Sequence, residues 1–385
     1  MTKLDELIQE LCPDGVEFCP LEQCCNILDK KRKPVTKSAR EAGDYPYYGA
    51  NGIQDYVSDY IFDGTFILVG EDGSVITDRG TPVVTWASGK IWVNNHAHII
   101  EESGDVLLRY LYHYIQTIDV SPLIHGNIPK LTGGDFKALQ IPVPPLEVQR
   151  EIVRILDTFT ELTAELTAEL TARKQQYAYY RDKLLTVDKT SSRIKLSELC
   201  DIGDGLHGTP SYDDNGQYYF INGNNLSNGT ITLSSQTKRL SQDEYEKIKL
   251  SFSNTVLLSI NGTIGNVALY SGESIALGKS VAYFNIRSEK FSRKYLFYVL
   301  QSSHSMEYFR ENSTGTTIKN LGLRALRDYQ IPLPSLKVQQ RLVEILDHFS
   351  TLCTDLTSGL PAEIEARKKQ YEYYRDKLLS FTPAD

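Results

Sequence analysis

The 385-residue chain has no CxxC pair, two methionines, two tryptophans, no long apolar run and no surplus of basic charge. Each shortage excludes something. Cys12, Cys19, Cys24, Cys25, Cys200 and Cys353 lack zinc-ligand spacing and a disulfide framework, so they read as small buried hydrophobes of a reducing compartment. No stretch is apolar enough to span a bilayer, and Asp5 and Glu6 stand where a secretory leader would be basic. The expectation is a cytoplasmic chain with no membrane contact.

A net charge of −8 argues, taken whole, against a nucleic-acid binder, whose usual footprint is basic. The surplus is uneven along the chain: −8 over 1–140, −1 over 141–186, +2 over 187–330 and −1 over 331–385. A DNA-facing surface must therefore be a local patch. Lys30-Lys31-Arg32-Lys33, with Lys37 and Arg40 behind it, is the obvious one, although a solvated loop is the commoner fate of a charge run.

Catalytic motifs are also missing. There is no phosphate-binding Walker loop, no paired-carboxylate-plus-lysine nuclease signature, and no Asn/Asp-Pro-Pro-aromatic loop of the kind that holds a flipped adenine. His96 and His98 have no third metal ligand at sensible spacing and read as strand residues. Gly203-Asp204-Gly205-Leu206-His207-Gly208 matches GxGxxG, but a dinucleotide site needs a helix to open there, and Thr209-Pro210-Ser211 follows instead.

What the chain does have is an internal duplication. IPVPPLEVQREIVRILD (141–157) aligns with IPLPSLKVQQRLVEILD (331–347), and ARKQQYAYYRDKLL (172–185) with ARKKQYEYYRDKLL (366–379). Upstream, Leu21, Cys25 and Ile27 match Leu196, Cys200 and Ile202; TFILVGEDG (65–73) matches TVLLSINGT (255–263); and 127–131 resembles 317–321. The predicted architecture is α+β: two globules with curved β-sheets, 1–145 and 187–335, separated by long helices, 146–186 and 336–385, that pack as an antiparallel coiled coil with pseudo-twofold symmetry.

In the first helix Ile152, Ile155, Phe159, Leu162, Leu166, Leu170, Tyr177, Tyr180 and Leu184 recur mostly at three and four, which is a coiled-coil seam. Forty residues of helix are roughly 60 Å long, the reach of a rigid spacer. Tandem Glu-Leu-Thr-Ala units at 161–172 keep their leucines on that face, each adding about 6 Å. Leu342, Ile345, Phe349, Leu352, Leu356 and Leu360 repeat the pattern, but Ser358-Gly359-Leu360-Pro361 predicts a kink or short interruption.

Tyr47, Tyr48, Asn51 and Gly52 form an aromatic, Asn-Gly stretch with a counterpart in Asn222, Asn224 and Asn225. An exposed Asn can pair bidentately with adenine, while Asn-Gly is equally the signature of a hairpin turn.

Taken together, YPYYGANGIQDY (45–56), DGLHGTP (204–210), the two IPxPxLxVQ segments and the paired ARKxQYxYYRDKLL helix ends resemble the specificity subunit of type I restriction–modification systems, over nearly the whole chain. The resemblance implies two target-recognition domains, each reading half of a split, asymmetric duplex DNA site. It further implies helices that dock two methyltransferase subunits, nuclease/translocase subunits joined through them, and no chemistry on this chain. S-adenosylmethionine would belong to the methyltransferase partners, and ATP and Mg2+ to the nuclease partners. On this reading Lys30, Lys31, Arg32, Lys33, Lys37, Lys238, Arg239, Lys279 and Lys319 position phosphates. Tyr47, Tyr48, Asn51, Gly52, His207, Thr209, Asn222, Asn224 and Asn225 face the bases. The alternative is a non-catalytic coiled-coil scaffold joining two ligand- or protein-binding modules, which leaves the basic runs without a role. A self-contained methyltransferase–nuclease would need residues for a catalytic domain that the chain does not spare.

Overall fold

A computed structural model describes residues 2–73, 75–124, 128–186, 192–227, 229–354 and 359–384. The chain divides into two compact units, Met1–Glu165 with Ile364–Asp385, and Leu166–Glu363. The division falls inside the helices rather than at their ends, so each unit owns one globule and parts of both helical repeats.

The first unit opens with a helix, α1 (Lys3–Leu11), that the sequence pattern did not announce. Thr2 and Asp5 cap it reciprocally, each side chain accepting the other's backbone N–H. The sheet that follows uses β1 (Cys25–Ile27), β2 (Ala42–Gly49), β3 (Gly52–Val57), β4 (Phe62–Gly70), β5 (Val84–Val93) and β6 (Ala97–Glu102), in the order β1-β6-β4-β5-β2-β3. Residues Phe66 to Val69 are continuously apolar because both faces of β4 are covered. Ile67 and Val69 enter one core with Ile100 and Leu111 of helix α2 (Leu108–Ile115), while Phe66 and Leu68 enter another with Ile91 and Ile99.

Helix α3 (Leu146–Leu185) starts after the proline run and is continuous through the Glu-Leu-Thr-Ala units. Its early turns bury Val148, Ile152 and Leu156 against the first globule, whereas Leu162, Leu166 and Leu170 are only half-buried.

The second unit repeats the plan with β7 (Cys200–Asp204), β8 (Tyr218–Ile221), β9 (Arg239–Leu240), β10 (Thr255–Ser259), β11 (Val267–Leu269), β12 (Ile275–Leu277) and β13 (Val281–Ile286). Here the sheet is broken in two, β7-β13-β10-β11 and β9-β8-β12. The long β5 of the first unit corresponds to β11 and β12 together, and Gly272 at φ +107° lies in the interruption between them. Helix α4 (Arg293–Leu300) takes the place of α2.

The distal helical repeat is two helices, α5 (Leu336–Thr354) and α6 (Leu360–Leu378). Of the expected interruption at 358–361, Gly359 is a bend that precedes α6, while residues 355–358, including Ser358 and Leu356 of the seam, lie outside the described residues. Pro361 sits in the first turn of α6, where a missing N–H costs nothing.

The seam is made by exchange. In the first unit Phe159 of α3 stacks on Tyr374 of α6 at 5.2 Å; in the second, Phe349 of α5 stacks on Tyr180 of α3 at 6.0 Å, both at 17°. Within the second unit Tyr177 faces Ser350 and Cys353 lies near Lys174, so α3 and α5 run antiparallel. Among the described residues no helix is long and apolar enough to cross a membrane.

Candidate nucleic-acid interface

Three local rules build the loop surface of the second unit. Gly205 lets the chain lie on β12, because a Cβ there would fall 2.0 Å from the Leu277 carbonyl oxygen. Gly203 and Gly205 thus serve close packing, Gly208 has open space around it, and no helix opens after them. Lys279 N–H then donates to the Leu206 oxygen at 2.9 Å, fixing the 206–210 loop beside the 278–280 turn. At that turn the Ser280 hydroxyl donates to Asn222 Oδ1 (3.0 Å) and accepts from Gly223 N–H (2.9 Å), and its carbonyl accepts from Ile260 N–H (2.9 Å). The Ile260 oxygen in turn accepts from Leu321 N–H at 2.8 Å. Ser280 is therefore the hub at which the loops carrying His207, Asn222, Lys279 and Lys319 meet.

His207, Thr209, Asn224, Lys238, Lys279 and Lys319 are exposed on those loops. Lys238 lies 5.7 Å above the Tyr212 ring and Arg239 5.2 Å above Tyr219, so aromatic faces steady both cations. Asn225 is withdrawn from the candidate set. Its amide accepts from Asn222 N–H (2.9 Å) and donates to the Thr232 oxygen (3.2 Å), which is the work of a turn. Asn222 is partly committed in the same way through Ser280.

In the first unit Lys30, Lys31, Lys33 and Lys37 are exposed. Lys33 is held in place: Trp92 Nε1 donates to its carbonyl at 2.6 Å, and its ammonium sits 5.9 Å over the same indole. Arg32 is the exception. It is 12% exposed and bound to Glu71 (2.6 Å), Asp29 (3.4 Å) and the Ala97 oxygen (2.7 Å), so it cannot serve as a phosphate ligand while the fold is intact.

Tyr47 and Tyr48 are also corrections. Tyr47 is 1% exposed, its hydroxyl bonded to both backbone groups of Val35 and its ring capped by Arg40 at 4.1 Å; Tyr48 belongs to the core. Ala50 and Asn51 form the turn of the β2–β3 hairpin, with Asn51 exposed at its tip, and Gly52, paired with Gly49, opens β3 at φ +86°. Strand register makes Asn51 equivalent to Asn224, since β2 pairs with the end of β5 as β8 pairs with β12. Different turns thus present an exposed Asn at one place in the fold.

His98 does find further potential ligands, from residues distant in sequence: Asp29, Glu71 and His98 place ligand atoms within 4.8 Å of one another. Arg32 and Lys130, the latter 3.2 Å from Glu71, already neutralise this group. It is an ion-pair node. Burial works to raise the Asp29 carboxyl, and hydrogen bonds from His98 and Ile99 with the Arg32 charge outweigh it, holding it below the usual 3.8. His98 is fully buried and stacks on Phe136 at 4.1 Å.

Sequence reasoning missed two further parts. Gln149 accepts from Leu107 N–H and donates to the Asp105 and Pro144 oxygens; Gln339 does the same with Ser292, Lys290 and Pro334. The repeated Val-Gln of the IPxPxLxVQ segments was the signal for this pair. Ser280, by contrast, has no sequence signature.

The same plan, built twice on one chain, has a known counterpart. A family model described as the type I restriction modification DNA specificity domain matches residues 13–173 and again 189–366. The chain belongs to this family. It is 37% identical to a putative type I restriction enzyme specificity subunit of Haemophilus influenzae, over 95% of this chain and 96% of the relative. With the type I restriction enzyme EcoR124I/EcoR124II specificity subunit of Escherichia coli it shares 35% identity over 80% of each. A chain from a solved structure on complex assembly and conformational transition of the type I R-M system superposes with a TM-score of 0.58 at 18% identity, covering 95% of this chain and 98% of that one; this likeness concerns the fold.

Proposed function

We propose that this chain is the sequence-reading subunit of a type I restriction–modification complex, each globule reading one half of a bipartite asymmetric site in double-stranded DNA. The observation that carries the reading is the duplicated fold, in which an exposed Asn, Asn51 or Asn224, stands at the same place in each unit and each unit carries exposed lysines on its loops. Lys30, Lys31, Lys33 and Lys37, and in the second unit Lys238, Arg239, Lys279 and Lys319, hold phosphates; Asn51, Asn224, His207 and Thr209 face base edges. Opposed half-sites on a duplex call for two similar readers, and a duplicated chain supplies both.

The subunit performs no chemistry itself. It acts in the cytoplasm, its helices dock two methyltransferase subunits that bind S-adenosylmethionine, and nuclease/translocase subunits using ATP and Mg2+ join through them. The acidic surplus suits surfaces turned from DNA or toward basic partners.

Single-molecule methylome sequencing of the host, followed by filter binding of the assembled complex to the duplex so identified, tests the reading. Replacing 187–330 with the corresponding domain of a relative should change one half of the methylated site only. If both halves changed, or the isolated chain methylated DNA, the proposal would fail.

A further inference from the structure

Among the described residues the two most exposed large apolar side chains are Ile128, at 68%, and Ile318, at 63%. Single exposed apolar residues are ordinary on a protein surface. These two occupy the same place in the two units, and the backbone there is clamped identically. After β4 and after β10 the chain makes a turn ending in a glycine of positive φ, Gly73 at +80° and Gly262 at +73°. Gly73 N–H donates to the Pro129 oxygen (3.0 Å) and Leu131 N–H to the Glu71 oxygen (2.8 Å); Gly262 N–H donates to the Lys319 oxygen (2.9 Å) and Leu321 N–H to the Ile260 oxygen (2.8 Å). Leu131 and Leu321 are fully buried and anchor the C-terminal side of each loop.

Around this clamp the side chains diverge. Glu71, Asp72, Pro129 and Lys130 stand where the second unit has Ile260, Asn261, Lys319 and Asn320. Only the isoleucine at the tip, the glycine and the buried leucine are the same. A β-branched side chain has few rotamers to lose, so a rigid loop presenting one to solvent is prepared for an apolar contact. In the second unit the surroundings point to a polyanionic occupant, and the equivalent place of Ile128 extends the reading to the first. Lys319 adjoins Ile318, and Ser280 ties that loop to those of Lys279, Asn222 and His207.

We propose that Ile128 and Ile318 are apolar wedges of the DNA-reading surface, each pressing on the nucleobases of one half-site while neighbouring cations hold the phosphates. The inference rests on the proposed DNA-reading function. The wedges would contribute through the bases alone, without adding a phosphate contact.

The test uses the full chain assembled with its methyltransferase partners and the duplex found by methylome sequencing. Ile128→Ser and Ile318→Ser should each weaken binding to that duplex about ten- to a hundred-fold, the equivalent of exposing one aliphatic side chain. Ile→Val at either position should restore most of the affinity. The slope of log affinity against log salt should stay as in the wild type, because no phosphate contact is removed. Undiminished binding by both serine variants would overturn the inference, as would loss of methyltransferase assembly, which would make the isoleucines protein contacts, or an altered salt slope, which would mean that the loop had collapsed. A wild-type complex that ignores the duplex sinks the DNA-reading function first; a wild-type complex that binds, with serine variants that bind equally, sinks the wedge alone.

Discussion

At the strand end that clamps the isoleucine loop, the first unit places Glu71 and the second Ile260, and the residues around them have changed together. Asp29, Arg32, His98 and Lys130 surround Glu71; at the corresponding positions stand Asp204, His207, Ala282 and Asn320. The carboxylate draws Arg32 inward, to 12% exposure. Without one, His207 keeps only Asp204, at 2.8 Å, and remains 72% exposed. One backbone plan is thus held by an ion-pair node on one side and by apolar packing on the other. The basic residue three positions after the aspartate is structural in the first case and free to meet a ligand in the second. Equivalent positions in a duplicated protein need not share a role.

Interchanging the two chemistries should give the largest effects. Ile260→Glu buries a carboxylate with no cation prepared for it and should destabilise the chain by on the order of 3 kcal/mol or more, read by urea denaturation. Glu71→Ala should cost about 3 kcal/mol, since it strands Arg32 and Lys130. The combined replacement Arg32→His, Glu71→Ile, His98→Ala, Lys130→Asn should lose much less than Glu71→Ala alone. If the combined variant is the less stable of the two, the second unit's solution does not transfer.

The Gln149 and Gln339 latches offer the opposite control, because their geometry is the same in both units. Each Gln→Ala change should cost about 2 kcal/mol and release the Leu107 or Ser292 amide to hydrogen exchange. Markedly unequal losses would show that the units differ more deeply than at the node.

A smaller difference should appear with pH. Asp157 is held by Arg109 and His113 at 2.8 Å each, whereas Asp347 is held by Lys294 and Tyr298. Burial pushes the His113 imidazole below its usual 6.5. A depressed pKa contributes stability above 6.5 that is lost as pH falls from 6.5 toward the folded value. Protection factors in α2, which divide out the slower intrinsic exchange at lower pH, should therefore fall between pH 7.5 and 5.5 more than those in α4, and His113→Tyr should remove the difference. Smallest of all, deleting Glu165–Ala168 should leave both half-sites unchanged and shorten the unread spacer between them by one or two base pairs.

Much of this was legible from the duplication. Proline runs, heptad-like seams and Gly-Pro blemishes are local signals, and they placed the helices and the break before Leu360. Pairing partners are not local. The sequence match set Glu71 against Asn261, but the ladder sets it against Ile260, because Val69 pairs with His98 as Leu258 pairs with Ala282. A one-residue slip is invisible in a continuously apolar strand, whose two faces carry the same residue types. Arg32 and Tyr47 were misread for a related reason. A basic run and an aromatic run look alike whether the side chains face solvent or fold back, and apart from Asp29 the groups that captured them, Glu71 and the Ala97 oxygen for Arg32 and the Val35 backbone for Tyr47, lie well away in sequence.

The exchange of helix ends bears on the order in which the protein can be made. Residues 166–363 form one compact unit from a continuous stretch of chain, whereas the first unit needs 364–384 to supply Tyr371 and Tyr374. During synthesis the globule that starts first is therefore the one finished last. Until the ribosome has passed Tyr374, Phe159 lacks its stacking partner and the His113 imidazole lacks the Tyr371 hydroxyl, so an apolar stripe on α3 stays uncovered while nearly two hundred further residues are added. Domains ordinarily fold in the order in which they emerge. In this chain the closing of the first unit waits on the end of the second.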